Sequence, residues 1–452
     1  MADVTVKGGV VVTGMGRQRA DLGIRDGAIE TVRPDLAAVG TTIDASGLLV
    51  LPGMVDTHVH LMDPGPTERE DFPTGTAAAA ARGVTTIVEH THAHPIRRAD
   101  DLMEKRRYLA GRSHVDFGLA AHVWPDRIDR LAELWAMGIT FFKIFTCTTH
   151  GVPGLDSSRL LGTLRAVAGF GGTCLIHCED ELITSEAERA LKEAGRTDPG
   201  VIIEWRSREA EQASIALVAT LVRMTGARAT IAHVSTPEAA RLIGEAQAAG
   251  GNLAAEACPQ YFALREDEIL EHGAFRKFTP PARVRSDSEQ QEMLDLLATG
   301  AFSHVSTDHA PSTAEQKRSG DIWEAPFGLP GLDSTFPWLL DLALTGRIPL
   351  EKAVALYAEA PARRYGLAPR KGRLERGADA DFVLIDPESS FTLTDDGVIS
   401  KAGWSPLAGR TFRGRVVATY LRGDEIARDG APHETRKGNF LPGAGARSSM
   451  MA

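Results

Sequence analysis

The stretch Met54-Val-Asp-Thr-His-Val-His60 decides the fold assignment. Its apolar and β-branched residues are typical of a short buried strand, and side chains two residues apart on a strand point to the same face. His58 and His60 can therefore bind one metal ion together. An HxH pair alone is weak evidence, because two histidines on one strand are often incidental.

Seven further apolar segments follow this one, separated by helical sequences such as Asp126–Met137 and Glu209–Thr225. Eight alternations of strand and helix are typical of a (β/α)8 barrel, so we expect an α/β fold of that class. The eight predicted strands are Met54–His60, Val84–His90, Val115–His122, Ile139–Phe145, Thr173–Cys178, Ala229–Val234, Asn252–Cys258 and Phe302–Thr307.

Both ends of the chain have a different texture, with short strand-like runs and Gly-rich turns. We expect residues 1–52 and 363–443 to form one small β-sandwich domain beside a catalytic barrel at 53–362. The last residues, 444–452, are predicted to be disordered.

Composition narrows the class of protein. Among 452 residues, 43% are hydrophobic and 24% charged, and the net charge is −10, which argues against a nucleic-acid-binding or anionic-membrane-binding protein. The four cysteines form no CxxC pair, and no apolar run approaches the ~20 residues of a membrane span. We therefore expect a cytoplasmic enzyme with reduced thiols.

Three other predicted strands also end in a histidine or a carboxylate. His177 ends the fifth strand, His233 ends the sixth, and Asp308 follows the eighth. Active sites of such barrels lie at the carboxyl ends of the strands. A single histidine there is more often a satisfied core residue, but four strands carrying such residues together favour a shared metal site.

The fourth strand places Lys143 between Phe142 and Ile144. Burying an unpaired ammonium is costly, so such a lysine tends to be neutral, paired or modified. A neutral amine can take up CO2 to form a carbamate, which is an anionic ligand able to bridge two metals. The sequence leaves open whether Lys143 is a carbamate or pairs with a carboxylate.

As a set, these motifs resemble those of the cyclic amidohydrolases, which include dihydroorotases, hydantoinases (dihydropyrimidinases) and allantoinases. The resemblance extends from Leu51 to about Leu441. The motifs that carry it are the HxH pair, Lys143, His177 in HCE, His233 in HVS, Cys258-Pro-Gln-Tyr261, and Asp308 in TDHAP.

The resemblance implies a hydrolase with two divalent metal ions, of which zinc suits the ligands best and manganese, cobalt or iron are alternatives. A hydroxide activated by the metals would open the ring, with Asp308 as general base and then general acid. The implied ligands are His58, His60 and Asp308 for one metal, His177 and His233 for the other, and carbamylated Lys143 as the bridge between them.

Substrate motifs favour an allantoinase-like or hydantoinase-like enzyme. Met62 stands where dihydroorotases have an arginine for the substrate carboxylate, and Thr148 stands where hydantoinases have a tyrosine but allantoinases a threonine. The segment His90-Thr-His-Ala-His94 departs from the allantoinase pattern. It is expected to line the pocket, with a polar loop as the alternative. We assign substrate contacts to Met62, His92, Thr148 and Thr279.

The expected partner is a small cyclic amide, and the resemblance implies a homotetramer or homodimer. Three alternatives remain at this stage. They are a dihydroorotase, a non-catalytic dihydropyrimidinase-like scaffold that has lost its metals, and a mononuclear deaminase, which would lack the lysine ligand.

Overall fold

The computed structural model describes residues 3–449. The chain begins with seven short strands that precede the barrel. They are β1 (Val4–Lys7), β2 (Val10–Thr13), β3 (Gly16–Arg19), β4 (Asp21–Arg25), β5 (Ala28–Arg33), β6 (Thr41–Asp44) and β7 (Leu49–Pro52).

The barrel strands follow in a single parallel series. They are β8 (Met54–Val59), β9 (Val84–Glu89), β10 (Asp116–Leu119) with β11 (Ala121–His122), β12 (Phe142–Phe145), β13 (Thr173–His177), β14 (Arg228–Ile231), β15 (Leu253–Ala257) and β16 (His304–Val305).

The helices surround these strands or follow them. They are α1 (Phe72–Ala81), α2 (Ala99–Leu109), α3 (Leu131–Ala136), α4 (Ser157–Gly169), α5 (Glu181–Glu193), α6 (Val201–Trp205), α7 (Arg208–Thr225), α8 (Pro237–Ala248), α9 (Gln260–Ala263), α10 (Glu268–His272), α11 (Asp287–Thr299), α12 (Ala314–Arg318), α13 (Thr335–Leu344), α14 (Leu350–Val354), α15 (Ala360–Arg364) and α16 (Ala444–Ser449).

The barrel closes where the first strand meets the segment after the last one. Val59 forms a parallel bridge with His309, and the backbone N–H of His60 donates to the carbonyl of His309 at 2.7 Å. Strand three is split into β10 and β11, but the backbone N–H of Ala120 still donates to the backbone carbonyl of Glu89. The prediction of a (β/α)8 barrel is confirmed.

Apolar side chains fill the barrel interior beneath its carboxyl end. Val55, Val88, Phe141 and Leu175 form one buried cluster, closed below by Tyr365. Because strand residues alternate between faces, the next inward positions along these strands lie one layer higher. That layer holds polar side chains.

The two ends of the chain share one sheet. Strands β17 (Phe382–Thr392), β18 (Thr411–Leu421), β19 (Asp424–Arg428) and β20 (Ala431–Pro432) complete it, in the order β20-β19-β18-β17-β7-β2-β3. The antiparallel pair β7–β17 joins the ends, with Leu51 opposite Val383. A second sheet, β5-β4-β1-β6, packs on the first through a cluster that includes Leu22, Val50 and Phe382.

The tail that we expected to be disordered contains the helix α16. Its small residues pack closely, since the Cβ of Ala446 approaches Gly138 and Gly445 lies against the backbone of Trp135. A side chain at either glycine would collide with this packing, which explains why so small a segment can dock. Residues 450–452 lie outside the described residues. Within 3–449, no helix has the length and hydrophobicity needed to span a membrane.

Candidate active site

A cavity of about 200 Å³ opens at the carboxyl ends of the barrel strands. Strands and loops from around the barrel contribute to it. Its lining residues are His58, His60, Met62, Pro66, Arg69, His92, Ala93, Lys143, Phe145, His150, His177, His233, Phe278, Thr279, Asp308, Ala310, Phe327 and Gly328.

His58, His60 and Asp308 meet on one side of the cavity. Asp308 Oδ1 lies 3.1 Å from His58 Nε2 and 3.4 Å from His60 Nε2. The other ring nitrogens are also engaged, with His58 Nδ1 2.8 Å from Glu256 and His60 Nδ1 3.0 Å from the carbonyl of His90. These contacts fix both imidazoles with their Nε2 atoms toward Asp308.

His177 and His233 form a second pair of buried imidazoles. His177 Nδ1 lies 3.0 Å from His233 Nε2, and His177 Nε2 lies 2.8 Å from Glu179. His233 and Asp308 both have left-handed backbones, with φ of +38° and +50°. Such strain in non-glycine residues is often retained at functional sites, where the surrounding structure holds it.

Lys143 lies between the two groups. Its Nζ is 3.3 Å from His58 Nε2, and the side chain is 1% exposed. The flanking Phe142 and Ile144 point outward, where Phe142 packs against Trp135 with ring centroids 6.2 Å apart. The alternation of the strand therefore turns the lysine into the site.

Burial lowers the pKa of every imidazole in this set for which a shift is resolved. The pKa of His60 falls to about 4 because burial outweighs the hydrogen bond to Asp308, and that of His233 falls well below its ordinary value. Burial also lowers the pKa of Lys143, against the opposing charges of Asp308 and Glu256. Neutral imidazoles and a neutral amine have the free lone pairs that metal binding and carbamate formation require.

The donor set fits divalent metal ions. Ligand atoms of His58, His233 and Asp308 lie within 4.8 Å of one another, and His233 Nδ1 is buried without a hydrogen-bond partner among the described residues. The structure thus brings together all six residues that the sequence suggested as ligands. Imidazole with carboxylate oxygen is a donor set that suits zinc and neighbouring divalent metals.

Two carboxylates behind the histidines were missed at the sequence level. Glu256 accepts hydrogen bonds from His58 Nδ1 and from the backbone N–H of His233, the latter at 3.0 Å. Glu179 contacts His177 and accepts from Thr279 at 3.0 Å. A glutamate in the apolar run of β15 is a signal that could have identified the first of them.

The predicted substrate contacts divide into two groups. Met62, His92 and Thr279 line the cavity, whereas Thr148 is exposed and does not. The backbone N–H of Thr148 donates to Glu181, and its hydroxyl accepts from Gly154 at 3.3 Å. The turn that follows β12 therefore directs Thr148 away from the cavity.

Further histidines surround this site. His90 lies beneath His58 and His60, with ring centroids 4.7 and 4.4 Å away, and neither of its nitrogens has a partner among the described residues. His92 Nδ1 lies 3.2 Å from His122 Nε2. The ring of His150 stacks on His92 at 4.6 Å. His92 and Ala93, from the predicted segment His90–His94, line the cavity.

Comparison with known proteins agrees with this geometry. Residues 49–426 match the model described as the amidohydrolase family. Similar relatives include the allantoinase of Rubrobacter xylanophilus, 36% identical over 446 residues and covering 97% of both chains. The allantoinase of Deinococcus radiodurans is 33% identical over 445 residues, with 97% of this chain and 98% of the relative covered.

Solved structures also resemble this chain along nearly its whole length. The L-hydantoinase (dihydropyrimidinase) from Arthrobacter aurescens superposes with a TM-score of 0.92 at 29% identity, covering 98% of this chain and all of the other (100%). A dihydropyrimidinase from Brevibacillus agri superposes with a TM-score of 0.90 at 27% identity, covering 97% and 98% of the two chains.

Proposed function

The chain belongs to the amidohydrolase family, and from that premise we propose that it uses two divalent metal ions to hydrolyse a small cyclic amide or ureide. Its similarity to allantoinases and hydantoinases indicates metal-dependent opening of a cyclic amide. The observation that carries the proposal is the convergence of four buried imidazoles, Lys143 and Asp308 at the carboxyl end of the barrel.

We assign the metal ligands as follows. His58, His60 and Asp308 would hold one ion, and His177 and His233 the other. Lys143, as a carbamate, would give one oxygen to each ion. Formation of the carbamate joins the neutral amine to CO2 and releases a proton, and it replaces a cation that would repel two dications. Zinc is the proposed metal, with manganese, cobalt or iron as alternatives.

Metals bound there would lower the pKa of a water molecule and polarise the substrate carbonyl. The protein's own residues then handle the proton. Asp308 would accept it from the water and deliver it to the leaving ring nitrogen. Glu256 and the carbonyl of His90 hold His58 and His60 in place while this occurs.

For the substrate, we propose an allantoin-like or hydantoin-like ring. Met62 lines the cavity and cannot pair with a carboxylate, which argues against dihydroorotate. A scaffold without catalysis is disfavoured because the complete ligand set is present in a cavity. We propose a cytoplasmic location, because all four cysteines are free and buried. We also propose that the protein forms a homodimer or homotetramer.

A panel assay tests this proposal. Metal-loaded protein would be incubated with allantoin, hydantoin, dihydrouracil and dihydroorotate. We expect ring opening with a higher kcat/KM for allantoin or hydantoin than for dihydroorotate. A higher value for dihydroorotate would refute the substrate assignment, and hydrolysis of none of the rings would refute the function.

A further inference from the structure

Arg69 is a fixed cation at the rim of the cavity. It lies on the loop between β8 and α1, where its Nε donates to the carbonyl of Pro311 at 3.0 Å and its Nη2 to that of Phe327 at 3.2 Å. Throughout residues 3–449, Nη1 makes no hydrogen bond and no carboxylate lies within ion-pair distance of the guanidinium, although the charge of the neighbouring Glu68 acts on it. Burial lowers the pKa of Arg69 to about 10, so the group stays charged at neutral pH.

Two buried lysines beside Arg69 also bind only carbonyl oxygens. Lys277 Nζ donates to Ile322 at 2.6 Å and to Trp323 at 3.0 Å, whereas Lys317 Nζ donates to Pro326 at 2.8 Å and to Lys277 at 3.0 Å. Burial, followed by the charges of Arg69 and Lys277, lowers the pKa of Lys317 well below its ordinary value. Of these three residues, only Arg69 lines the cavity.

Elsewhere around the site, the protein neutralises its buried cations. Arg206 lies 3.0 Å and Arg283 2.6 Å from the carboxylate of Glu179. Those two arginines are structural, and their counterion is built in. Arg69 has no such carboxylate partner among residues 3–449, and unlike the two lysines it lines the cavity, so a bound ligand can supply its counterion.

The position of Arg69 restricts where such a ligand carries its charge. Met62 lies earlier on the same loop and also lines the cavity, and its sulfur accepts only a contact from Thr91 at 3.7 Å. Arg69 lies beyond it, beside Phe327 and Ala310. A cavity of about 200 Å³ is smaller than the ~300–1,000 Å³ of drug-sized pockets, so the ligand is small.

We propose that the substrate is a cyclic amide with an anionic group on a short side chain, and that Arg69 binds this group. The proposal rests on the cyclic-amide hydrolysis proposed above and names the substrate class more narrowly. The planar guanidinium, with two of its nitrogens anchored by carbonyls, presents Nη1 in a fixed direction. It can therefore select a carboxylate by position as well as by charge.

The test compares hydantoin-5-acetate with its neutral amide, hydantoin-5-acetamide. For the metal-loaded wild type we expect a kcat/KM about 10- to 100-fold higher for the acid, as a hydrogen bond to a charged group contributes. Arg69→Gln should lower kcat/KM for the acid far more than for the amide and so remove this preference. Arg69→Lys should keep part of it, and Arg223→Gln, on an exposed face of α7, should keep all of it.

Two results would overturn the inference. Equal turnover of acid and amide by the wild type would do so, as would an equal loss for both compounds in Arg69→Gln, which would assign Arg69 a purely structural role. If no form opens either ring, the proposed function fails instead. Calorimetric Kd values for the same pair then decide the inference, because Arg69-dependent preference for the acid supports it and equal affinities refute it.

Discussion

At the residue scale, the burial of the Lys143 side chain requires an explanation. A lysine that is 1% exposed and 3.3 Å from an imidazole nitrogen has no ordinary structural role. We predict that Lys143→Ala loses the second metal and nearly all activity. Acetate or propionate should restore part of both by supplying a bridging carboxylate. Mass spectrometry of active wild type should show the added CO2, and an unmodified amine in fully active protein with two metals would contradict this account.

Glu256 lies behind two of the proposed metal ligands, His58 and His233. Its carboxylate orients His58 and the backbone of His233, and such outer contacts commonly contribute 10- to 100-fold to metal affinity. We expect Glu256→Gln to weaken metal binding by roughly 10- to 100-fold. Competition with a coloured chelator measures this loss. Unchanged affinity would show that Glu256 only fills space in the barrel.

All six proposed metal ligands line the cavity, whereas one proposed substrate contact, Thr148, does not, for a physical reason. Strand alternation turns Lys143 and His177 to the same side as the buried Phe141 and Leu175, two residues before them, whatever the loops do. Thr148 lies in a turn, where its direction depends on contacts with Glu181 and Gly154 that no local pattern reveals.

At the scale of elements, the ion pair between β9 and α2 holds a barrel strand to its helix. Lys105 Nζ lies 2.5 Å from Glu89, with both side chains at most 4% exposed. Removing one member of a buried pair typically costs about 3–5 kcal/mol, so Lys105→Met should lower the free energy of unfolding by that amount. The exposed pair Lys192–Glu188 provides the control, since Lys192→Met should have little effect.

The pH dependence of the Lys105→Met variant follows from Glu89. Burial already raises the pKa of Glu89 above its ordinary value, against the effect of Lys105. Losing Lys105 raises that pKa further, so the folded variant takes up a proton at higher pH than the unfolded chain does. The deficit in urea unfolding should therefore shrink as pH falls from 7 toward 5. A deficit that grows over this range would refute the argument.

Element boundaries show where local patterns were sufficient and where they were not. All eight predicted barrel strands exist, but most are shorter than predicted, and the third is split at Ala120. Hydrophobic runs mark what is buried, whereas the ends of strands depend on pairing with neighbours far away in sequence. Packing of small residues likewise formed α16 in a segment whose position at the end of the chain suggested disorder.

At the scale of the whole molecule, a buried ion cluster joins barrel strand β10 to the segment before β17. Lys371 Nζ lies 2.5 Å from Asp116 of β10, 2.8 Å from Asp379 and 2.7 Å from Asp381. Lys371→Met would leave these carboxylates without their shared cation. We expect a loss of about 3–5 kcal/mol in urea unfolding monitored by near-ultraviolet circular dichroism.

Acid should act on the same cluster through Asp116, because burial raises rather than lowers the pKa of the neighbouring Asp381. Burial raises the pKa of Asp116, but the charges of Lys371 and Arg422 outweigh it and hold the pKa below 3.8. A depressed pKa contributes stability at pH values above that of the unfolded chain, and this stability is lost as pH falls through the folded value. The wild type should therefore lose this contribution below about pH 4, whereas Lys371→Met should have less of it to lose.

We propose that this cavity opens cyclic amides only when it holds two metal ions. The most direct measurement is the rate of ring opening as metal is added back to metal-free protein, plotted against metal bound per chain by elemental analysis. We predict negligible activity without metal and a maximum as about two equivalents bind. Full ring-opening activity in metal-free protein, or a chain that binds no metal on reloading, would contradict the account.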